Sequence, residues 1–97
     1  MSSPLPDAEI QSALGALPGW KFEKNALIKE LTFGSFREAI SFLVRAAFEA
    51  EALNHHPEWT NVYNRVSIRL NTHDADNKVT AKDVELAKRI HHISWVD

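Results

Sequence analysis

A run of alternating side chains between positions 62 and 71 constrains the fold more than any other feature of the chain. The apolar residues of this run share one parity, and they are Val62, Val66, Ile68 and Leu70. The polar residues share the other, and they are Arg65, Ser67, Arg69 and Asn71. Successive strand residues point to opposite faces of a sheet. The run therefore predicts a half-buried antiparallel strand, apolar on one face and polar on the other.

Helical patterns flank this strand, and the longest lies before it. Ser35 is its expected N-cap, and the helix should end near Asn54 or His55, because Pro57 disfavours the α region for the residue before it. Its apolar stripe is expected to be core or subunit interface. The stripe comprises Phe36, Ile40, Leu43 and Ala47, with Val44 and Phe48 flanking it.

Shorter helices are predicted near both ends of the chain. Asp7 is the expected N-cap of the first, which Pro18-Gly19 ends. Thr80 is the expected N-cap of the last, with Asp83 three residues later in a capping-box arrangement. The last helix should bury Leu86, Ala87, Ile90 and Ile93.

A β-hairpin is predicted between the first two helices. Residues 20–23 and 26–33 would form its strands, with a turn at Lys24-Asn25. An extra short strand is expected near Trp59. The order predicts an α+β fold over residues 1–97: a single domain with a four-stranded antiparallel sheet and about three helices packed on one face.

Composition excludes several classes of protein. The 97 residues include no cysteine, which excludes a disulfide scaffold, a thiolate zinc site and a cysteine nucleophile, and which fits a cytoplasmic protein. The N-terminus lacks the features of a signal peptide, and no apolar run is long enough to span a membrane. The net charge of −2, with Arg65 and Arg69 on the polar strand face, is weak support for nucleic-acid binding. We expect no nucleic-acid or membrane partner.

Three of the five histidines suggest a chemical function. Glu51, His55 and His56 lie in one short stretch, and His73 follows the predicted strand, so that a hairpin could bring it near His55. Imidazole has a reference pKa of about 6.5 and moves protons well near neutral pH. Converging histidines without a strong nucleophile indicate dehydration, isomerisation or tautomerisation.

Structural explanations compete with this interpretation. His55-His56-Pro57 could be a polar loop, and His73 could be solvated. Asp83 could serve only as a cap, although its position turns it toward the buried side of the helix. Trp20 is more typical of a core than of a ligand platform, and His91 and His92 are expected at the surface. Metal ligation is not expected, because the spacing is not that of a known motif; the possible ligands are Glu51, His55, His56, His73, Asp74 and Asp76.

The spacing Glu51-x3-His55-His56-Pro57-x5-Tyr63-x9-His73-x9-Asp83 resembles the signature of the pterin-4a-carbinolamine dehydratases. The resemblance covers nearly the whole chain. It implies a hydro-lyase that removes water from 4a-hydroxytetrahydropterin to give quinonoid dihydropterin. This reaction belongs to tetrahydrobiopterin recycling for aromatic amino-acid hydroxylases. No metal or organic cofactor is implied.

The resemblance also implies residue roles. His55 and His73 would be the acid/base pair, and His56 would bind and orient the pterin. Glu51 would hold His55 or a ring nitrogen of the substrate, and Asp83 would orient a histidine, with His73 as the expected partner. The remaining substrate-binding residues would be Pro57, Thr72, Asp74 and Trp20.

The family further implies assembly into homodimers or homotetramers. Some members also stabilise dimers of a transcription factor, so a protein-interaction module is the alternative function. The outer face of the long helix would decide between these roles. That face carries Arg37, Glu38, Ser41 and Arg45.

Overall fold

A computed structural model describes residues 3–93 of the chain. The helices are α1 (Asp7–Leu14), α2 (Phe36–Ala52) and α3 (Ala81–His91), with a 3₁₀ turn at His73–Ala75. The strands are β1 (Lys21–Glu23), β2 (Ala26–Thr32), β3 (Glu58–Val62) and β4 (Arg65–Leu70). Residues 1, 2 and 94–97, which the single-domain prediction includes, lie outside the described part.

The strands form one antiparallel sheet in the order β1-β2-β4-β3. Helix α2 packs against β4, and α3 packs against β2, around one apolar core. The predicted α+β fold, with a four-stranded antiparallel sheet and three helices, is confirmed. Among the described residues, no helix is long and apolar enough to cross a membrane.

The alternating run is divided between two strands. Val66, Ile68 and Leu70 are buried in β4 as predicted. Val62 is not part of that face: it ends β3 and is 59 % exposed. Tyr63 adopts a positive φ of 52°, which turns the chain between β3 and β4. The extra strand expected near Trp59 is thus β3, which pairs with β4 from Glu58↔Arg69 to Val62↔Arg65.

The first hairpin follows the sequence prediction closely. Lys24 and Asn25 have φ values of 49° and 62°, the pair of left-handed residues that a two-residue type I′ turn requires. The turn pairs β1 with β2 through Glu23↔Ala26. Asn25 is a residue that tolerates this conformation well.

Helix α2 has the predicted start and a different buried face. The Ser35 hydroxyl accepts a hydrogen bond from the Glu38 amide at 3.2 Å, so the predicted cap is confirmed. The buried residues are Ala39, Phe42, Leu43, Ala46 and Ala50. Of the expected stripe only Leu43 lies in the core, since Ala47 is exposed and four large apolar side chains face outward; for these residues the core alternative is wrong and the interface alternative stays a prediction. These four, here called the α2 outer stripe, are Phe36, Ile40, Val44 and Phe48.

The other two helices differ in how well their ends were predicted. Helix α1 has Pro6 at its N-cap without a side-chain bond, so Asp7 is its first residue and not its cap. It ends at Leu14, well before Pro18, because the next amides turn back to carbonyls three residues earlier. Helix α3 has the capping box predicted for Thr80 and Asp83. All four apolar residues predicted for it are buried.

Candidate active site

The ends of several elements meet at a cleft of about 350 Å³. The chain leaving α2, the end of β4, the 3₁₀ turn and the start of α3 contribute its walls. His55, His56 and His73 all line this cleft, as do Pro57, Thr72 and Asp74. The three histidines singled out in the sequence are therefore brought together, while His91 and His92 are exposed elsewhere, as expected.

A Schellman motif at the end of α2 places His55. The Asn54 amide donates to the Glu51 carbonyl and the His55 amide to the Ala50 carbonyl, both at 3.0 Å. Asn54 occupies the left-handed position with φ of 50°. The helix therefore ends at Ala52, two to three residues earlier than predicted, and the chain reverses so that His55 points back toward the core.

The His55 imidazole pairs with Asp83 across the fold. Its Nε2 lies 2.5 Å from Asp83 Oδ1, and the two residues are only 8 % and 0 % exposed. The expectation that Asp83 orients His73 is wrong, because the reversal after α2 brings His55 over the start of α3. A carboxylate accepts the Nε2–H proton, so Nδ1 is the ring nitrogen left to exchange a proton.

The second oxygen of Asp83 is held by two threonines. Asp83 Oδ2 accepts the Thr80 backbone N–H and the Thr72 hydroxyl, both at 2.8 Å. The two hydroxyls are themselves 2.7 Å apart. Asp83 also lies in the first turn of α3, where the helix dipole favours negative charge. A fully buried carboxylate is thus compensated on every side.

His56 has a different environment from His55. Its Nε2 lies 2.8 Å from Glu51 Oε1, and both side chains are largely exposed. The predicted pairing of Glu51 with His55 is therefore wrong. Helix α2 ends at Ala52, so Glu51 and His55 do not share a helical face. An exposed pair of this kind contributes little to stability, which leaves both side chains free to serve a ligand.

His73 begins the 3₁₀ turn and is exposed at the cleft. None of the described residues forms a hydrogen bond to its ring. Its neighbour Thr72 is buried and belongs to the Asp83 network. His55 and His73 thus face one cleft from opposite environments: one imidazole is buried and held by a carboxylate, and the other is open to solvent.

Trp20 lies away from the cleft. It is 5 % exposed in the core and borders a separate cavity of about 200 Å³ together with Phe42 and Ile90. Its Nε1 is buried without a hydrogen-bond partner among the described residues. The prediction that Trp20 forms a substrate wall is wrong on this geometry, and the core interpretation of Trp20 is confirmed.

Several cleft residues were missed in the sequence. They are Asn54, Glu58, Arg69, Asn71 and Lys82. Arg69 and Asn71 were assigned only to a solvated strand face, but pairing of β3 with β4 sets Glu58 beside Arg69. Alternation identifies such a face as polar without showing that it adjoins a cleft. The approach of His55-His56 to the end of β4 supplies the missing wall.

No group of three or more histidine, aspartate or glutamate side chains within residues 3–93 is arranged to hold a metal ion. The six possible ligands considered above are divided between the buried Asp83 network and exposed positions. The geometry of the cleft therefore offers proton-transfer groups and hydrogen bonds as its chemistry.

Comparison with known proteins decides the family. Residues 3–93 match the family model described as Pterin 4 alpha carbinolamine dehydratase. The chain belongs to this family. It is 68 % identical over 96 residues to a putative pterin-4-alpha-carbinolamine dehydratase of Opitutus terrae, covering 99 % of each chain. A protein of Solibacter usitatus with the same description is 48 % identical over 90 residues, covering 93 % of this chain and 94 % of the other.

A solved structure has the same fold. It is the transcriptional coactivator/pterin dehydratase from Brucella melitensis, with a TM-score of 0.88 and 40 % sequence identity. The match covers 94 % of this chain and 98 % of the other. The family is one of hydro-lyases, so the resemblance and the enzyme class expected from the seven-residue signature are confirmed.

Proposed function

We propose that the protein eliminates water from 4a-hydroxytetrahydropterin and releases quinonoid dihydropterin. Family membership supports this substrate class. The single observation that carries the proposal is the buried pair His55–Asp83 facing a cleft that also contains the exposed His73. Because the surroundings of the two imidazoles differ, one is suited to accept a proton from the substrate and the other to donate one.

The elimination can be written with these groups. The N5–H bond and the C4a–O bond of the substrate break, a C4a=N5 double bond forms, and the oxygen leaves as water. One imidazole accepts the N5 proton while the other protonates the departing hydroxyl. His55 works through Nδ1 in either direction, because Nε2 is held by Asp83. The elimination exchanges no electrons with a redox partner and loses only water, so the proposal includes no metal or organic cofactor.

Substrate binding falls to the outer part of the cleft. His56 lines this part of the cleft, and with its hydrogen-bonded partner Glu51, which is exposed beside it and not among the lining residues, it forms a pair suited to the polar edge of a pterin ring. Pro57 and Asp74 line the same cleft and would shape the pocket. None of these side chains belongs to the buried Asp83 network. We therefore assign substrate binding and proton transfer to separate groups.

A coupled assay tests the proposed reaction. The protein is added to a phenylalanine hydroxylase reaction, and the decay of the 4a-carbinolamine absorbance is followed. We expect the decay to accelerate in proportion to the added protein, which would also establish a role in tetrahydrobiopterin recycling. The His91→Ala variant is the matched control, since His91 is exposed and outside the cleft. An unchanged decay at high protein concentration would refute the proposal.

We further propose that the protein self-associates through the α2 outer stripe. Its four members recur every four residues, and Phe48 is 71 % exposed. Large apolar side chains aligned on one exposed helix face are typical of a subunit interface. The Brucella relative is described as a transcriptional coactivator, so a foreign regulatory protein is the competing occupant. A second copy of the chain is favoured because the same stripe can pack on itself about a two-fold axis.

A further inference from the structure

We propose that Thr80 is a positioning residue whose hydroxyl, acting through Thr72, holds the Asp83 carboxylate in the orientation that in turn orients the His55 ring. The inference rests on the proposed function and extends it to a residue that touches neither His55 nor the cleft. Thr80 is 1 % exposed, and it does not line the cleft.

Each threonine hydroxyl has one proton to donate, and this determines which group is the donor in each hydrogen bond of the relay. Asp83 Oδ2 accepts the Thr72 hydroxyl at 2.8 Å, which uses the only proton of Thr72. The hydroxyl of Thr72 can therefore only accept in its 2.7 Å contact with the hydroxyl of Thr80, so Thr80 donates. Thr80 in turn accepts the Lys82 amide at 3.2 Å. The relay runs one way, from the first turn of α3 to the carboxylate.

The threonine contacts determine which oxygen of Asp83 is available to His55. The Thr80 backbone N–H and the Thr72 hydroxyl both occupy Asp83 Oδ2. Oδ1 is then the oxygen that receives the His55 Nε2–H, at 2.5 Å. A neutral His55 held in this way carries its proton on Nε2 and presents Nδ1 as the base. Because the network is buried, water cannot replace a missing donor without cost.

Thr72 is held in place for its part in the relay. Its backbone N–H donates to the Lys78 carbonyl at 2.9 Å, closing the loop between β4 and α3. The loop turns at Asp76 and Asn77, which have φ values of 61° and 58°. The two hydroxyls are thus fixed by backbone contacts from opposite ends of the loop, and their separation does not depend on His55.

The role of Thr80 differs from that of an ordinary helix cap. Ser35 caps α2 by accepting from the Glu38 amide, and nothing in the site depends on it. A cap needs only an acceptor. Thr80 accepts as a cap and also donates to Thr72. The two roles separate in variants: Thr80→Ser keeps both, Thr80→Val loses both, and Ser35→Ala loses a cap alone.

The experiment measures the His55 tautomer together with dehydration kinetics. Two-bond ¹H–¹⁵N spectra at alkaline pH report which nitrogen carries the proton in the neutral ring, and His55 is assigned by comparison with His55→Gln. We expect the Nε2–H tautomer in the wild type and in all three variants, because each keeps the acceptor-only carboxylate of Asp83. The His55 Nε2 proton resonance should be shifted or broadened in Thr80→Val and unchanged in Thr80→Ser and Ser35→Ala, because only Thr80→Val loosens the carboxylate. In Thr80→Val, kcat should fall roughly tenfold or more with little change in KM, because the base is misoriented.

A second variant keeps the test decisive if Thr80→Val does not fold. Thr72→Val removes the same link without touching the helix cap, with Thr72→Ser as its rescue, and should show the same change in the His55 Nε2 proton resonance. An unchanged Nε2 proton resonance with wild-type kcat in the valine variants would overturn the proposal, as would an equal loss in Ser35→Ala. A changed resonance in the valine variants of a protein whose wild type shows no dehydratase activity would uphold the relay and refute the proposed function alone.

Discussion

Three imidazoles of the same cleft differ in what surrounds each ring. His55 is buried against a carboxylate, His56 shares an exposed hydrogen bond with Glu51, and His73 meets only solvent among the described contacts. A buried partner fixes both the orientation and the tautomer of a ring, whereas an exposed partner leaves it adaptable. The differences support the proposed division of roles, proton transfer by His55 and ligand binding by His56, although the two residues are adjacent in sequence.

The substitution Asp83→Asn tests the pairing of His55 with Asp83, because asparagine has nearly the same shape as aspartate. The amide oxygen of the new side chain should replace Oδ2, because that position must accept the Thr80 N–H and the Thr72 hydroxyl. The NH₂ group would then face His55 and force Nε2 to accept, which protonates Nδ1. We expect kcat to fall by roughly 10⁴-fold, as a wrong histidine tautomer does in the Ser-His-Asp triad. Circular dichroism should remain native, and activity near wild type would contradict the pairing.

The substitution His73→Ala tests the second proton-transfer group. His73 is exposed and supports no described contact, so its removal should leave the far-ultraviolet circular dichroism spectrum unchanged. General acid–base catalysis contributes about 10²–10⁴-fold, and kcat should fall within that range. His91→Ala removes an exposed histidine outside the cleft and should keep full activity. If both variants dehydrate the substrate at the wild-type rate, His73 is not part of the acid/base pair.

Helix ends build this site more than helix faces do. The Schellman motif after α2 supplies His55, and the capping box of α3 supplies Asp83. The second could be predicted, because Thr80 and Asp83 form a local pattern with a known hydrogen-bond logic. The first could not, because an asparagine in the left-handed position looks like any polar helical residue. Glu51 was assigned to His55 for this reason. Asp83 was assigned to His73 for the same reason, because the reversal that brings His55 over α3 could not be seen in the sequence.

Asn54 gives an element-scale prediction, since its φ of 50° determines where α2 ends. Glycine adopts this conformation freely and is common at this helix position. We expect the free energy of unfolding of Asn54→Gly to lie within about 0.5 kcal/mol of the wild-type value. A β-branched side chain is strained there, so Asn54→Val should lose about 1–2 kcal/mol. Urea denaturation measures both, and equal stability of the two variants would show that the left-handed position is not maintained.

The buried face of α2 shows where periodicity alone is insufficient. Large apolar residues occupy most of the circumference of this helix, so several stripes fit a period of 3.6. The structure buries the small side chains Ala39, Ala46 and Ala50 beside Phe42, which lets the helix lie close to the sheet. A pattern that weights residues by size selects the outward face of α2 instead of the face that packs on the sheet. Trp20 was misplaced differently, because its role came from the family resemblance and not from its own neighbours.

At the scale of the whole molecule, residues 3–93 leave apolar surface exposed on two sides. The α2 outer stripe lies on the helical layer, and Val62 with Tyr63 lies at the turn between β3 and β4. A chain of 97 residues buries a smaller share of its surface than a larger domain. Association of copies would cover what one chain cannot, and the two surfaces predict different assemblies: one joined by helices and one joined at the sheet edge.

Matched glutamate substitutions distinguish the two surfaces. Val44 and Val62 are 50 % and 59 % exposed, so neither substitution should disturb the core. In an interface of stacked α2 helices, Val44→Glu would bury a charge without a partner and place it near its symmetry mate, which is strongly unfavourable. Light scattering at micromolar concentration should therefore give the mass of an oligomer for the wild type and Val62→Glu, and a lower mass for Val44→Glu. A mass that falls only in Val62→Glu would assign the interface to the sheet edge. A single-chain mass for the wild type would instead leave the α2 outer stripe for a foreign partner.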